Sequence, residues 1–168
     1  EVLSSIKNKM LDLTLSTSIT KDRESYGLFS KTYMNFPLVI VTKNDTSYIS
    51  KTSELNNRVV AVGKNYTAHK FLKKNYPEIK FLELKNTNEA LIAVSEGKAY
   101  ATVDILPVVA YNIQKLSLSN LKISGKTEYD FEVKAFVRDD YPELISIINK
   151  GIDSLDKKTK DEILSHWL

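Results

Sequence analysis

Hydrophobic and polar positions along this chain change period several times, from β-rich runs of five or six residues to a three-and-four spacing sustained over about ten. The β-rich runs predict strands at Leu11–Ser16, Pro37–Thr42, Arg58–Gly63, Lys80–Leu84 and Ala99–Asp104. The helical spacing predicts helices at Thr67–Asn75, Asn88–Glu96 and Pro107–Lys115, so the middle of the chain reads as a parallel α/β sheet. Boundary chemistry agrees: Pro77 stops the helix before it, Thr87 can cap the next one, and Gly97 can close that helix in the left-handed region. Two further strands are predicted at Leu121–Ser124 and Val133–Val137, then helices at Pro142–Leu155 and Thr159–Leu168. The apolar stripes of these helices need a surface to cover, and the last is expected to dock through Ile163, Leu164 and Trp167.

With 168 residues, 42% hydrophobic and 27% charged, the chain can build one sizeable core or two small lobes. The net charge of +3 comes from mixed signs without a basic stripe, which argues against a nucleic-acid partner. There is no cysteine, and the two histidines, His69 and His166, lack metal-ligand spacing and read as surface helix residues. The five glycines stand singly, without a Walker loop, a dinucleotide fingerprint or a nucleophile elbow. No metal, cofactor or catalytic residue is therefore predicted. No apolar run approaches a membrane span, and any signal peptide or anchor lies outside these residues.

The stretch from Ser16 to Tyr33 carries the most specific chemistry. Small hydroxyl side chains at a strand end precede Arg23, and a turn from Thr20 would swing its guanidinium back over them, a geometry suited to a carboxylate. The chain has only three arginines, Arg23, Arg58 and Arg138, so each more readily marks a place that needs the fork. Read alone, Lys21-Asp22-Arg23-Glu24 is equally an ordinary solvated charge run.

Thr20-x-x-Arg23 followed by Phe29-Ser30-x-x-Tyr33 resembles the signature of the bacterial extracellular solute-binding proteins of family 3. The resemblance continues through Val59–Gly63, Phe71–Pro77, Asn88–Leu91 and Glu96–Lys98 in the family's order. Tyr100–Pro107, Ala110-Tyr111, Asn120–Ile123, Val137–Asp139 and the closing Ile163-x-x-x-Trp167 are similar to a narrower branch, the Venus-flytrap sensor domains of bacterial histidine kinases and diguanylate cyclases. This implies an α/β, two-lobed periplasmic-binding-protein type 2 fold with mainly parallel sheets. Lobe 1 would comprise residues 1–44 and 125–168 and lobe 2 residues 45–124, with crossings near Ile40–Asn44 and Gly125–Glu132. The family's first strand, first helix and second strand have no counterpart here, so lobe 1 is expected to be incomplete at its N-terminus.

The same resemblance implies an extracytoplasmic, periplasmic-side sensor that binds a small carboxylate-containing metabolite or amino acid in the interlobe cleft. A membrane tether outside these residues and a homodimer through the parent receptor go with that reading. Ser16, Ser18 and Arg23 align with the family's carboxylate-binding positions, against helix capping as the alternative. Asn65, Tyr66 and Thr67 form the strand-to-helix turn of lobe 2, where Thr67 either faces the cleft or caps its own helix. Asp104 ends an apolar strand and is offered as partner of a ligand ammonium group. The family's amine-binding aspartate aligns one residue later, at Ile105, so a role bracing the hinge stays open; Tyr100 reads as packing. The rival functions are a free binding protein of an ABC transporter and a cyclohexadienyl-dehydratase-like enzyme; no histidine or carboxylate pair near the clamp supports the latter.

Overall fold

A computed structural model describes the backbone of residues 2–167 and side chains through Ser165. In chain order the elements are α1 (Val2–Lys7), β1 (Leu13–Thr17), α2 (Lys21–Glu24), β2 (Gly27–Phe29), β3 (Met34–Lys43), a 3-10 turn (Thr52–Leu55), β4 (Val59–Gly63), α3 (Thr67–Asn75), β5 (Lys80–Leu84), α4 (Thr87–Ser95), β6 (Ala101–Ile105), α5 (Leu106–Lys115), β7 (Leu121–Arg138), α6 (Pro142–Ser154) and α7 (Lys157–Trp167). They form two units. Unit 2 is the continuous stretch Phe36–Phe131, and unit 1 joins Glu1–Asn35 to Glu132–Leu168. These boundaries fall inside β3 and β7, earlier than residue 44 and later than residue 125.

In unit 2 the strand order is β7-β3-β6-β4-β5. β4 pairs parallel with β5 and β6, joined by helical crossovers, whereas β3 pairs antiparallel with β6. Parallel pairing joins β4 to β5 and to β6, where a helix returns the chain to the same end of the sheet. One face buries Leu38, Ile40, Val60, Val62, Ala101 and Val103 beneath Ala68 and Leu72 of α3. The other buries Val39, Val41 and Ala61 beneath Leu91 and Val94 of α4 and Val109 of α5. The period-two alternation of β3 and β4 therefore feeds both layers.

β7 differs from expectation. The two short strands predicted around a crossing at 125–132 form one strand of 18 residues. Lys126-Thr-Glu-Tyr-Asp-Phe-Glu-Val133 alternates polar and less polar residues, a strand pattern its charges disguise as a loop. The Thr42 and Ser124 hydroxyls meet at 2.5 Å and satisfy each other within the β3–β7 layer.

In unit 1 the distal part of β7 pairs antiparallel with β1 and with β2. Phe136, fully buried, is the hub, with the rings of Phe29 and Tyr26 at 4.7 and 5.5 Å. α6 buries no residue completely, and Ile147 is 65% exposed. α7 spans Lys157–Trp167, starting two residues before the predicted Thr159. Ile163 on it is exposed and Leu164 half-buried, so Ile163 does not dock as expected; the Trp167 part of that expectation, and the side chain of His166, lie outside the described residues.

Candidate functional site

The Arg23 corner of unit 1 begins with a bulge. Leu13 and Thr14 pair with Val137 and Phe136, but the next pair is Thr17 with Lys134, so β1 carries one extra residue. A bulge reverses which way the following side chains face. Ser16 is consequently exposed, while Thr17 and Ser18 are buried. Thr17, passed over in the sequence because strict alternation groups Ser16 with Ser18, is the hydroxyl that joins Ser18.

Thr20 caps α2 by accepting the Arg23 N–H at 3.3 Å, and this single turn brings the guanidinium back over the strand end. Arg23 Nη1 donates to the Ser18 carbonyl at 2.6 Å and approaches Thr17 Oγ1 at 3.0 Å and Ser18 Oγ at 3.3 Å. Among the described residues no acceptor reaches its Nε or Nη2. One corner of the guanidinium is thus anchored, and the Nε–Nη2 edge keeps the parallel donors that a carboxylate matches. The other arginines stand elsewhere. Arg138 holds Asp140 through Nε and Nη2 at 2.7 and 2.9 Å, and Arg58 lies over the Tyr100 ring at 4.8 Å from its centroid.

The rest of the motif supports this corner. Phe29 packs on Phe136, and Ser30 accepts the Ala135 N–H at 2.9 Å while donating to the Lys31 carbonyl at 2.8 Å. Tyr33 donates its hydroxyl to the Leu15 carbonyl beside the bulge. Partial burial pushes the Tyr33 pKa up, which keeps the hydroxyl a donor.

In unit 2 the turn after β4 carries Asn65, Tyr66 and Thr67. Asn65 sits in the left-handed region at φ 64°, and its N–H donates to Nδ1 of His69 at 3.1 Å. His69 is 3% exposed, not the surface residue expected, because it shares with Leu72 the face of α3 turned to the sheet. Accepting at Nδ1 places the proton of the neutral ring on Nε2, which lies 3.5 Å from Glu83 Oε1 without a hydrogen-bond partner. Burial pushes the His69 pKa down, with Glu83 opposing. Tyr66 occupies the N-cap of α3 without a side-chain bond, so Thr67 is the first helical residue rather than the cap. The exposed Asn65 and Tyr66 and the half-buried Thr67 make this turn accessible from solvent.

Asp104 lies on β6 one residue from its end. It accepts the Thr87 hydroxyl and the Ile105 N–H, the latter at 2.8 Å. Burial pushes its pKa up, while those two donors pull it back. Thr87 is therefore engaged by Asp104 and does not cap α4; Asn86 does, accepting the Glu89 N–H at 3.0 Å. Asp104 in this way ties the start of α4 to the end of β6. Tyr100 packs against the core under Arg58.

Among the described residues no group of three or more His, Asp or Glu could hold a metal ion, and no helix is long and apolar enough to cross a membrane. The family model of bacterial extracellular solute-binding proteins, family 3, matches residues 1–168. Over 168 residues the chain is 27% identical to the virulence sensor protein BvgS of Bordetella pertussis, covering 99% of this chain but 14% of that protein. The crystal structure of the periplasmic VFT2 domain of BvgS superposes with a TM-score of 0.87 at 26% identity, over 99% of this chain and 72% of that one. A mutant of arginine-bound ArgBP from T. maritima gives a TM-score of 0.77 at 26% identity, over 92% of this chain and 72% of that one.

Proposed function

The chain belongs to the bacterial extracellular solute-binding proteins, family 3, and from that premise we propose that it binds a small carboxylate-containing metabolite, of which amino acids are the leading class, as the sensor domain of a histidine-kinase-type receptor. The location is periplasmic, like that of the BvgS domain it matches. Ligand binding would shift a conformational equilibrium by the difference in affinity between the two states. The observation that carries the reading is the half-committed guanidinium of Arg23, fixed at Nη1 by Ser18 and Thr17 and open along Nε and Nη2. Asn65, Tyr66, Thr67 and Asp104 are assigned in the same reading to the remainder of the ligand, and exposed Ser16 to its periphery. The arginine-bound state of ArgBP supports an amino acid over a plain acid, and equally a free transport-type binding protein as second reading.

A thermal-shift screen of amino acids and small organic acids tests this. A carboxylate ligand should raise the melting temperature of the native chain, and Arg23→Ala should abolish that rise. Arg23→Lys should restore little, since an ammonium cannot present two parallel donors. Undiminished stabilisation in Arg23→Ala would sink the clamp. Asp104→Asn separates two roles: a loss larger for amino acids than for plain carboxylic acids marks an ammonium contact, and equal losses mark a brace for α4.

A further inference from the structure

Unit 2 holds a concavity of about 500 Å³ at the start of β4 and β6 and the end of β3. The turn Asn65–Thr67 follows the end of β4, a strand length away. Its side chains include Lys43, Arg58 and Lys98, against the single carboxylate of Asp45. Lys98 is paired with Glu96 at 2.6 Å. Among the described residues Lys43 and Arg58 form no ion pair within 4.0 Å, although Lys43 is half-buried.

Two features mark the surroundings of these cations. Gly97 has φ +78°, and a Cβ there would lie 3.0 Å from Lys43 Nζ, so glycine serves both the left-handed turn after α4 and the approach of the ammonium group. The Arg58 guanidinium lies over the Tyr100 ring, 4.8 Å from its centroid, a cation–π contact that uses none of its N–H donors. A concave site lined by excess charge of one sign focuses its field on a counter-ion.

We propose that this cavity binds a small multivalent oxyanion, a phosphate or a di- or tricarboxylate, independently of the Arg23 clamp. Arg58, over the Tyr100 ring, supplies the fork, and Lys43 supplies the point charge beside Gly97. Asp45 sets a limit on affinity by repelling the ligand.

Isothermal titration of the full chain with inorganic phosphate and with citrate, at fixed ionic strength to hold screening constant, tests the proposal. Saturable binding is expected, weakened by at least about tenfold in Lys43→Gln combined with Arg58→Gln, which corresponds to about 1.4 kcal/mol. Asp45→Asn should tighten it, which guards against a loss caused merely by misfolding. Arg23→Ala should leave it unchanged, so failure here is separable from failure of the clamp. A response that does not saturate, that survives the double substitution, or that disappears in Arg23→Ala would overturn the assignment.

Discussion

The two units solve the problem of burial differently. Unit 2 places fully buried residues on both faces of one sheet, with α3 covering one face and α4 and α5 the other. In unit 1 the buried hydrophobic residues are few, Phe136 chief among them, and Met10, Leu15, Ile19 and Ile147 are exposed. Its longest helix, α6, only half-buries Leu144, Ile148 and Ile152 and is tied also by polar contacts: Asn149 accepts the Lys31 N–H at 2.8 Å, and Lys31 pairs with Asp153 at 2.6 Å. Exposed pairs of this kind contribute little stability. Unit 2 thus has the larger buried core, and Arg23 sits on the unit whose geometry rests more on hydrogen bonds than on core volume.

Phe136→Ala strikes this contrast hardest. It removes the ring that Phe29 and Tyr26 pack on, and should cost about 3–5 kcal/mol in urea unfolding. A smaller loss would mean that unit 1 has support beyond its aromatic hub. Next come paired truncations. Leu72→Ala, fully buried in unit 2, should cost about 2–5 kcal/mol. Ile147→Ala on α6 should stay within about 0.5 kcal/mol; equal losses would erase the distinction between the units. Without ligand, Arg23→Ala should cost about 1–3 kcal/mol, since the Ser18 carbonyl loses a charged donor. The smallest effect is a pH dependence in unit 2. The folded pKa of His69 lies below the ordinary value near 6.5, so the unfolded chain binds more protons between the two values. His69's contribution is complete above about 6.5 and is lost as pH falls from there through the depressed folded value. Hydrogen exchange at the Asn65 amide, measured through that window with and without His69→Gln, would show it; identical pH slopes would remove His69 as the cause.

Legibility in the sequence follows the same division. α3 and β5 occupy the predicted residues, Thr67–Asn75 and Lys80–Leu84, because the switch from period 3.6 to period 2 is sharp and Pro77 separates them. α4 begins one residue early, since Asn86 took the capping role expected of Thr87. The unit 1 side of the chain hid more. A bulge at the end of β1 leaves no compositional mark, so the exchange of Ser16 for Thr17 beside Arg23 could not be read from alternation. The turn at Thr20 could, because a threonine cap is a local matter between Thr20 and the Arg23 amide. His69 carried a usable signal: it stands three residues before Leu72 and next to Ala68, on the stripe that faces the sheet.

Unit 2 is one uninterrupted stretch of chain, whereas unit 1 is assembled from two pieces with all of unit 2 between them. This arrangement has a kinetic consequence. The parallel pairing of β4 with β5 and β6 closes only short segments, while joining β1 and β2 to the distal end of β7 closes a loop that contains the whole of unit 2. Loop closure is entropically costlier for the longer segment, and non-local pairing slows folding. Once unit 2 has formed, its β3 and β7 already run side by side, so the cost of bringing the two pieces of unit 1 together has largely been met. The route of the chain therefore favours one order of assembly, in which unit 2 organises first and the Arg23 corner forms late, on a scaffold completed elsewhere.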